Sequence, residues 1–510
     1  MHRFSEQRVI AIPLPIVPNR LEKKVCVFER CQDGLAIVSP CNSIAEGVSA
    51  LLRKRTSGDT WQVRASYLVG ADGNHSTVRQ TLGISRQGPG VIAYIPNVIF
   101  DADLSAVLRG RRITLCYIDN PQLPDGQGFL MPIDNQRRWM FTSALHPERG
   151  ERREDLTDEY CTQLIRIAVG VSDLEVKILP AYPWDTVKVG LWELTALWAE
   201  QYQRDHVFLA GDSAHTILPT GAMGASTGIQ DAFNLAWKMA LVLGGQAAPS
   251  LLASYQEERL PVGKLMVEQT RAFQFSHLAG VQRAAALCRG AGCPRKNLFS
   301  SLLRAAAGGA RRREGNWGRP RPRQGDPCTP LSGELESPVE QTMQRFLYRT
   351  HSASSSLIDD ASLIFGYRYQ RGAMVAELDS AGASLTQHPR TLAGSPGTRA
   401  PHMVLERAGE CLSTIDLFGR NFVVLVGSEG FPWITAARTV AERLGMPLDA
   451  WQISPAGLRD VEERWYAAYG VSTTGMALVR PDGFVAWRSP AHKTQPEQAL
   501  EDVLTRILGK

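Results

Sequence analysis

One stretch of the chain holds residue types that could do chemistry together. Residues 207–238 read Val-Phe-Leu-Ala-Gly-Asp-Ser-Ala-His-Thr-Ile-Leu-Pro-Thr-Gly-Ala-Met-Gly-Ala-Ser-Thr-Gly-Ile-Gln-Asp-Ala-Phe-Asn-Leu-Ala-Trp-Lys. The apolar run at 207–210 predicts a short buried strand, which Gly211-Asp212 stops. From Gly224 onward the spacing turns helical, and Ile229, Ala232, Phe233, Ala236 and Met239 are expected to form the apolar face. Pro219, Gly221 and Gly224 punctuate the loop between strand and helix. The unit therefore offers a carboxylate at a strand end, glycines that let a flat ligand touch backbone, and free N–H groups at a helix start. That set suits a ligand with hydroxyl groups on one side and a negative charge developing on the other.

Two further stretches carry polar residues at telling positions. Residues 67–84 read Tyr-Leu-Val-Gly-Ala-Asp-Gly-Asn-His-Ser-Thr-Val-Arg-Gln-Thr-Leu-Gly-Ile. A strand ends there, Asp72-Gly73 turns, Ser76 caps a helix whose apolar face is Val78 and Leu82, and Gly83 closes it. On residue types alone Asp72 is a turn former. Residues 250–261 read Ser-Leu-Leu-Ala-Ser-Tyr-Gln-Glu-Glu-Arg-Leu-Pro. They predict a helix in which Glu258 and Arg259 order local backbone and which Pro261 interrupts, with helical sequence resuming at 262–275.

Together these motifs resemble the class A flavoprotein aromatic hydroxylases, the p-hydroxybenzoate and phenol hydroxylase type. The resemblance covers most of residues 49–283 and 357–510. It implies FAD as cofactor, NAD(P)H as co-substrate and a small phenolic or polyketide-derived aromatic substrate, hydroxylated through a flavin C4a-hydroperoxide. By the same resemblance Asp212, beside Gly211, holds a ribityl hydroxyl, and Pro219 lies beside the reactive ring. The backbone of Gly221, Ala222, Met223 and Gly224 then lies near the flavin carbonyl. Asp72, Gly73 and Arg79 are implied near the FAD pyrophosphate, with a purely structural role for Arg79 equally open. His215 is implied to be mainly structural, and no catalytic base is identifiable. Two alternatives stand beside hydroxylation: a Baeyer–Villiger or ring-cleaving oxygenase of the same fold, and an incomplete, inactive flavoprotein that acts only in binding.

The elements that must position these residues follow from patterning. Flavoproteins of this type open with a strand, a Gly-x-Gly-x-x-Gly turn and a helix. Before residue 49 the glycines are the isolated Gly34 and Gly47. The AMP-binding half is therefore expected to be missing, through truncation or mis-splicing, in preference to the alternative that residues 1–48 supply a substitute. Residues 1–90 are assigned as a partial FAD-binding region, with a hairpin over 48–53 and 61–65 that turns at Ser57-Gly58-Asp59. Residues 91–200 are assigned as a substrate-side sheet. Its strands are predicted at 91–100, 113–118, 128–133, 138–143, 174–182 and 188–197, with a helix over 151–169 whose face is Leu156, Tyr160, Leu164 and Ile167. Tyr94, Phe129, Met131, Tyr182 and Trp184 are candidate cavity lining. Residues 201–283 complete the FAD-binding region.

Residues 284–356 are rich in Ala, Gly, Arg and Pro and predict a disordered insertion; residues 357–395 connect. In residues 396–510 a strand at 422–426, a helix at 434–444, strands near 448–453 and 476–480, a turn at Asp482-Gly483 and a last helix at 496–508 give a β-α-β, β-β-α order. That order resembles the thioredoxin-like C-terminal domain of phenol-hydroxylase-type enzymes. The loop Gly427-Ser-Glu-Gly-Phe-Pro-Trp lacks a Cys-x-x-Cys, so dithiol chemistry is excluded and a structural or homodimer-contacting role is implied. The fold class expected is α/β (α+β): a truncated Rossmann-like FAD-binding domain with an inserted β-sheet, plus a thioredoxin-like domain.

Composition bounds the rest. Of 510 residues, 44% are hydrophobic and 21% charged, the balance of a globular protein. A net charge of +5 is small for this length and gives no reason to expect a nucleic-acid partner. No apolar run approaches the ~18 residues of a membrane span. The nine cysteines form no Cys-x-x-Cys pair and have no histidine at finger spacing, so no metal site and a reducing, cytoplasmic setting are expected.

Overall fold

The computed structural model describes residues 21–29, 35–37, 42–44, 47–54, 57–181, 187–290, 358–377, 384–391 and 394–510. Residues 291–356 of the expected insertion, and Tyr182 and Trp184, lie outside them. The first part of the chain runs β1 (Leu21–Glu29), β2 (Gly47–Lys54), β3 (Thr60–Ala71), α1 (Thr77–Thr81), β4 (Arg86–Asp101), α2 (Asp158–Val169), β5 (Val189–Ala199), β6 (Val207–Leu209), β7 (His215–Thr216), α3 (Gly224–Leu243) and α4 (Ala253–Gly290). The C-terminal unit contains β8 (Phe422–Val426), α5 (Phe431–Leu444), β9 (Leu448–Gln452), β10 (Met476–Val479), β11 (Val485–Ser489) and α6 (Pro496–Leu508).

β3 is the spine of the first sheet, and its sequence explains both its neighbourhoods. Its first half pairs antiparallel with β2, Arg53 opposite Thr60, closing the expected hairpin. There Val63 and Ala65 are buried while Gln62 is exposed, the alternation of a sheet with one wet face. Its second half pairs in parallel with β6, Leu68 opposite Val207 and Gly70 opposite Leu209. There Leu68, Val69, Val207, Phe208 and Leu209 are all buried, as a parallel strand covered on both faces requires. β1 also runs parallel to β3, from Leu21 opposite Val63 to Glu29 opposite Ala71. No strand was expected before residue 48, because the charged run Leu-Glu-Lys-Lys hides the alternation.

The second sheet is antiparallel and holds β4 and β5 at its centre, in register from Val98–Val189 to Arg86–Ala199 with two shifts. Further strands at Cys116–Asp119, Gln127–Pro132 and Arg138–Thr142 match the expected hairpins. Three expectations need correction. The helix over 151–169 begins only at Asp158, where Thr157 accepts from the Tyr160 N–H and caps it. Its buried residues are Cys161, Leu164 and Ile165, so its face is rotated from the predicted one and Tyr160 is exposed. The strand expected over 174–182 shrinks to Lys177–Ile178.

The C-terminal sheet has the order β9-β8-β10-β11, with β8 and β9 parallel and β10 antiparallel to both its neighbours. α5 and α6 pack on one face with Trp433 and Leu504; the other face buries Leu405, Trp465 and Tyr469. Trp237 of α3 enters the first of these cores and meets Phe422 edge to face at 5.5 Å. The reading of the cysteines as thiols holds for Cys116 and Cys161, whereas Cys411 is disulfide-bonded.

Candidate functional site

The end of β6 turns sharply because Gly211 adopts φ +61°, a conformation that disfavours side chains. The turn then packs on the first turns of α3. A Cβ on Gly228 would lie 3.1 Å from the Gly211 Cα, so this pair of glycines brings turn and helix together. Asp212 stands exposed at the tip. Surrounding protein raises its carboxyl above the ordinary value, with His215 pulling the other way. Beneath it, the buried Ser213 hydroxyl donates to the Gly70 carbonyl at 2.6 Å, fixing the turn to β3.

The loop to α3 is wound tightly. The Ala222 N–H donates to the Pro219 carbonyl at 2.9 Å, and Gly221 and Ala222 both have positive φ, +88° and +54°. Pro219, Gly221 and Ala222 are exposed, Gly224 is half-buried, and Met223 is buried in a cluster with Val262 and Met266. No side chain caps the start of α3, a helix of 20 residues. Its first N–H groups and the positive end of its dipole therefore face the loop. Exposed carboxylate, exposed glycine-rich backbone and an uncapped helix start share one edge of the fold.

The second motif supports that edge rather than sharing it. Asp72 is buried, and its carboxylate accepts from the Ser76 hydroxyl at 2.5 Å and the Val78 N–H at 3.1 Å. Arg79 is buried too and donates to the carbonyl oxygens of Ser213 at 2.8 Å and Asn74 at 2.9 Å. Burial and Arg86 pull its pKa down to about 10, against Asp72. Neither side chain offers its charge outward. Asp72 ties the first turn to the start of α1, and Arg79 fastens that turn to the Gly-Asp turn. Gly73 takes φ +80° with open space beside it.

The face of α3 is where the sequence reading fails. Ile229 is 70% exposed and Phe233 44%, and Ala232 and Ala236 are exposed as well; of the predicted face only Met239 is buried. The buried side carries Leu235, Trp237 and Met239 together with a polar stripe: Thr227, Asp231, Asn234 and Lys238. Asp231 accepts from the Gly211 N–H at 3.1 Å, from His215 Nε2 at 2.6 Å and from Arg259 Nε at 2.7 Å. Lys238 donates to Glu258 at 2.8 Å, and Glu258 also takes two hydrogen bonds from Arg480, at 2.7 and 2.9 Å. Burial alone would raise Glu258, but Arg480 and Lys238 outweigh it and bring it down to about 2. Lys238 falls to about 8, because burial outweighs an anion that it shares with Arg480. The signal for this face was present as polar residues at helical spacing, 227, 231, 234 and 238.

α4 supplies Glu258 and Arg259 from its buried side and runs through Pro261 without interruption. The two residues expected to order local backbone are instead the centre of this network. His215 is fully buried and committed to Asp231, which agrees with a structural role. It also lies in β7, opposite Trp198 of β5, so the turn is tied to the edge of the second sheet. Tyr94, Phe129 and Met131 are half-buried in that sheet. Among the described residues no cluster of His, Cys, Asp and Glu could hold a metal, and no helix is long and apolar enough to cross a membrane.

The exposed Asp212, the Gly211–Gly228 contact and the uncapped helix start fit the flavin end of FAD: an acceptor for chain hydroxyls and donors for a carbonyl that gains charge. Comparison with known proteins agrees. Residues 38–270 match the FAD binding domain family, and residues 393–510 match the aromatic-ring hydroxylase C-terminal family. A putative polyketide hydroxylase of Streptomyces halstedii is 37% identical over 475 residues, 91% of this chain and 71% of the relative. A 4-methyl-5-nitrocatechol 5-monooxygenase of Burkholderia sp is 33% identical, over 97% of this chain and 77% of its own. Among solved structures, aklavinone-11 hydroxylase in ternary complex with FAD and aklavinone aligns with a TM-score of 0.70 at 31% identity, covering 93% of this chain and 74% of that one. The flavin-dependent monooxygenase PieE, in complex with FAD and substrate, aligns with a TM-score of 0.71 at 27% identity, over 92% and 75%. Fold, motif residues and relatives converge: this chain is an FAD-dependent monooxygenase and belongs to the class A aromatic-ring and polyketide hydroxylases.

Proposed function

We propose that the protein hydroxylates a multi-ring, polyketide-type phenol, with NADH or NADPH as reductant and with FAD held at the Gly211–Gly228 turn. The observation that carries this reading is the exposure of Asp212, Gly221 and Ala222 beside an uncapped helix start, while Asp72, Asp231 and Glu258 are buried and hydrogen-bonded within the fold. When bound, FAD supplies the oxygen transfer to the ring. The chain's own part is to bind and orient. Asp212 accepts hydrogen bonds from the ribityl chain, and the backbone from Gly221 to Gly224 with the first N–H groups of α3 favours negative charge on the cofactor. Pro219 keeps the loop rigid beside the ring. Near the pyrophosphate Arg79 acts by tying the two turns together, and Asp72 and Gly73 by shaping the first of them, not by direct charge. The substrate class is supported by the relatives, two of which are named as putative polyketide hydroxylases.

The division of labour proposed is FAD binding in residues 1–90 and 201–283, a substrate wall in residues 91–200, and a C-terminal module in residues 396–510. The module is read as thioredoxin-like, supported by a four-stranded sheet with one antiparallel strand, β10, and helices against it. Without a cysteine pair its role is support.

The test is direct. FAD is titrated onto purified protein, and NADPH oxidation is followed with and without an anthraquinone-type phenol, with product mass as the endpoint. The reading predicts a yellow complex, substrate-stimulated oxidation and a gain of one oxygen atom. A protein that stays colourless at high FAD and oxidises no NADPH in response to any phenol would overturn it.

A further inference from the structure

A continuous run of buried polar groups joins the Gly-Asp turn to the C-terminal sheet, and the proposed chemistry does not use it. It starts at the Gly211 N–H, which donates to Asp231, whose other oxygen takes Arg259. The Arg259 guanidinium next reaches the hydroxyls of Tyr367 at 3.2 Å and Tyr369 at 3.4 Å. Asn234 Nδ2 lies 3.3 Å from the same Tyr369 hydroxyl, 2.6 Å from Glu258 and 3.3 Å from Asp482. Arg480 closes the run, paired with Glu258 and with Asp482 and lying over the Tyr369 ring at 5.2 Å. Every side chain in it is buried.

We infer that Arg480, from the C-terminal unit, is a positioning residue for the flavin-side turn, acting through Glu258, Asn234, Tyr369, Arg259 and Asp231. This rests on the reading of that turn as the FAD site. Stability alone does not call for the arrangement, since buried ion pairs replaced by well-packed apolar residues often leave a protein no less stable. What such a network supplies is register. The charged groups of the run hold one another at hydrogen-bonding distance, so the β10–β11 turn cannot shift against α3 without unpairing a buried charge. The segment at Gly372 reinforces this. Its backbone, at φ +116°, passes so close to Glu258 that a Cβ there would collide with the carboxylate, and the next N–H, of Ala373, donates to it at 2.7 Å. The C-terminal unit thereby reaches the turn through a run of buried side chains.

The test compares three variants of the full chain. Arg480→Met combined with Asp482→Asn removes the link while Glu258 stays paired with Lys238, so no lone buried charge is left, and Tyr369→Phe removes only the hydroxyl in mid-run. Leu405→Ala, in the core on the far face of the C-terminal sheet, loosens that unit outside the network. Two quantities are read: the FAD dissociation constant, and amide hydrogen exchange of residues 209–216 without FAD. The expected result is a tenfold or greater loss of FAD affinity and at least tenfold faster exchange in the double variant. Tyr369→Phe should show a smaller shift of the same kind, and Leu405→Ala less than a twofold change in either quantity at a comparable loss of Tm. Equal effects from Leu405→Ala and the double variant, or unchanged exchange in the double variant, would overturn the inference. Should the wild-type protein bind no FAD, the cofactor reading fails by that result alone, while exchange at 209–216 still decides whether Arg480 holds the turn.

Discussion

Arg79 and Ser213 lie 134 residues apart in the chain, yet Arg79 Nη1 donates to the Ser213 carbonyl oxygen over 2.8 Å. The same guanidinium holds the Asn74 carbonyl, so one side chain fastens the turns of two motifs. Arg79→Lys retains charge but reaches one carbonyl, since an ammonium lacks the planar fork. It should weaken FAD binding about tenfold. Arg79→Met leaves buried carbonyls unpaired and should cost about 1–3 kcal/mol of unfolding free energy. Urea unfolding and FAD titration on the same samples check both; a Lys variant with wild-type affinity would remove Arg79 from the positioning of the site.

The two motif aspartates should separate by assay. Asp212 is exposed, so Asp212→Ala is expected within about 0.5 kcal/mol of wild-type stability, with FAD affinity reduced at least tenfold. Asp72 is buried and accepts from the Ser76 hydroxyl and the Val78 N–H, so Asp72→Ala, which leaves these donors unpaired, should cost about 1–3 kcal/mol. Its effect on FAD should follow only from that loosening. Thermal unfolding beside FAD titration reads the contrast, and the assignment of Asp212 fails if its variant binds FAD normally.

Gly228→Ala tests the approach of helix to turn. In an ordinary helix interior the change should stabilise by about 1 kcal/mol. Here the new Cβ meets the Gly211 Cα at 3.1 Å, an overpacking that costs about 1–3 kcal/mol. The expected net result is a lower Tm and a weaker FAD complex. A raised Tm would show that the turn yields freely.

Acid sensitivity should trace to Glu258. Its folded pKa is about 2, below the ordinary value of 4.5. The unfolded chain therefore binds the proton first as pH falls. The stability Glu258 contributes is full above the unfolded value and is lost as pH drops toward the folded one. Glu258→Gln should be less stable than wild type at pH 7 by several kcal/mol, on the order of 3–5 for a broken buried pair, and the gap should narrow below about pH 5. Urea midpoints between pH 7 and 3.5 measure it; a gap that does not change with pH would place the titration elsewhere.

Much of the site was readable from local pattern. A strand ending in Gly-Asp, a loop with Pro219 and Gly221, and a helix start at Gly224 are set by backbone preferences within a few residues, and they appear as expected. The same holds for the Ser76 cap and for the hairpin at Ser57-Gly58-Asp59. Periodicity failed on α3 because it assumes that apolar residues face inward. In this helix ion pairing supplies the partners that let Asp231, Asn234 and Lys238 be buried, while Ile229 and Phe233 are left outside. Pro261 misled in a similar way: packing along α4 carries the helix past a residue that breaks isolated helices.

The sequence by itself determined most of the elements, the two aspartate motifs and the family, because each depends on residues close together in the chain. Only the tertiary structure decided which aspartate is free and which is spent, and that a C-terminal arginine reaches a glutamate 222 residues away. Those outcomes depend on which charges share a buried volume, and desolvation makes that pairing strong only once the chain has folded.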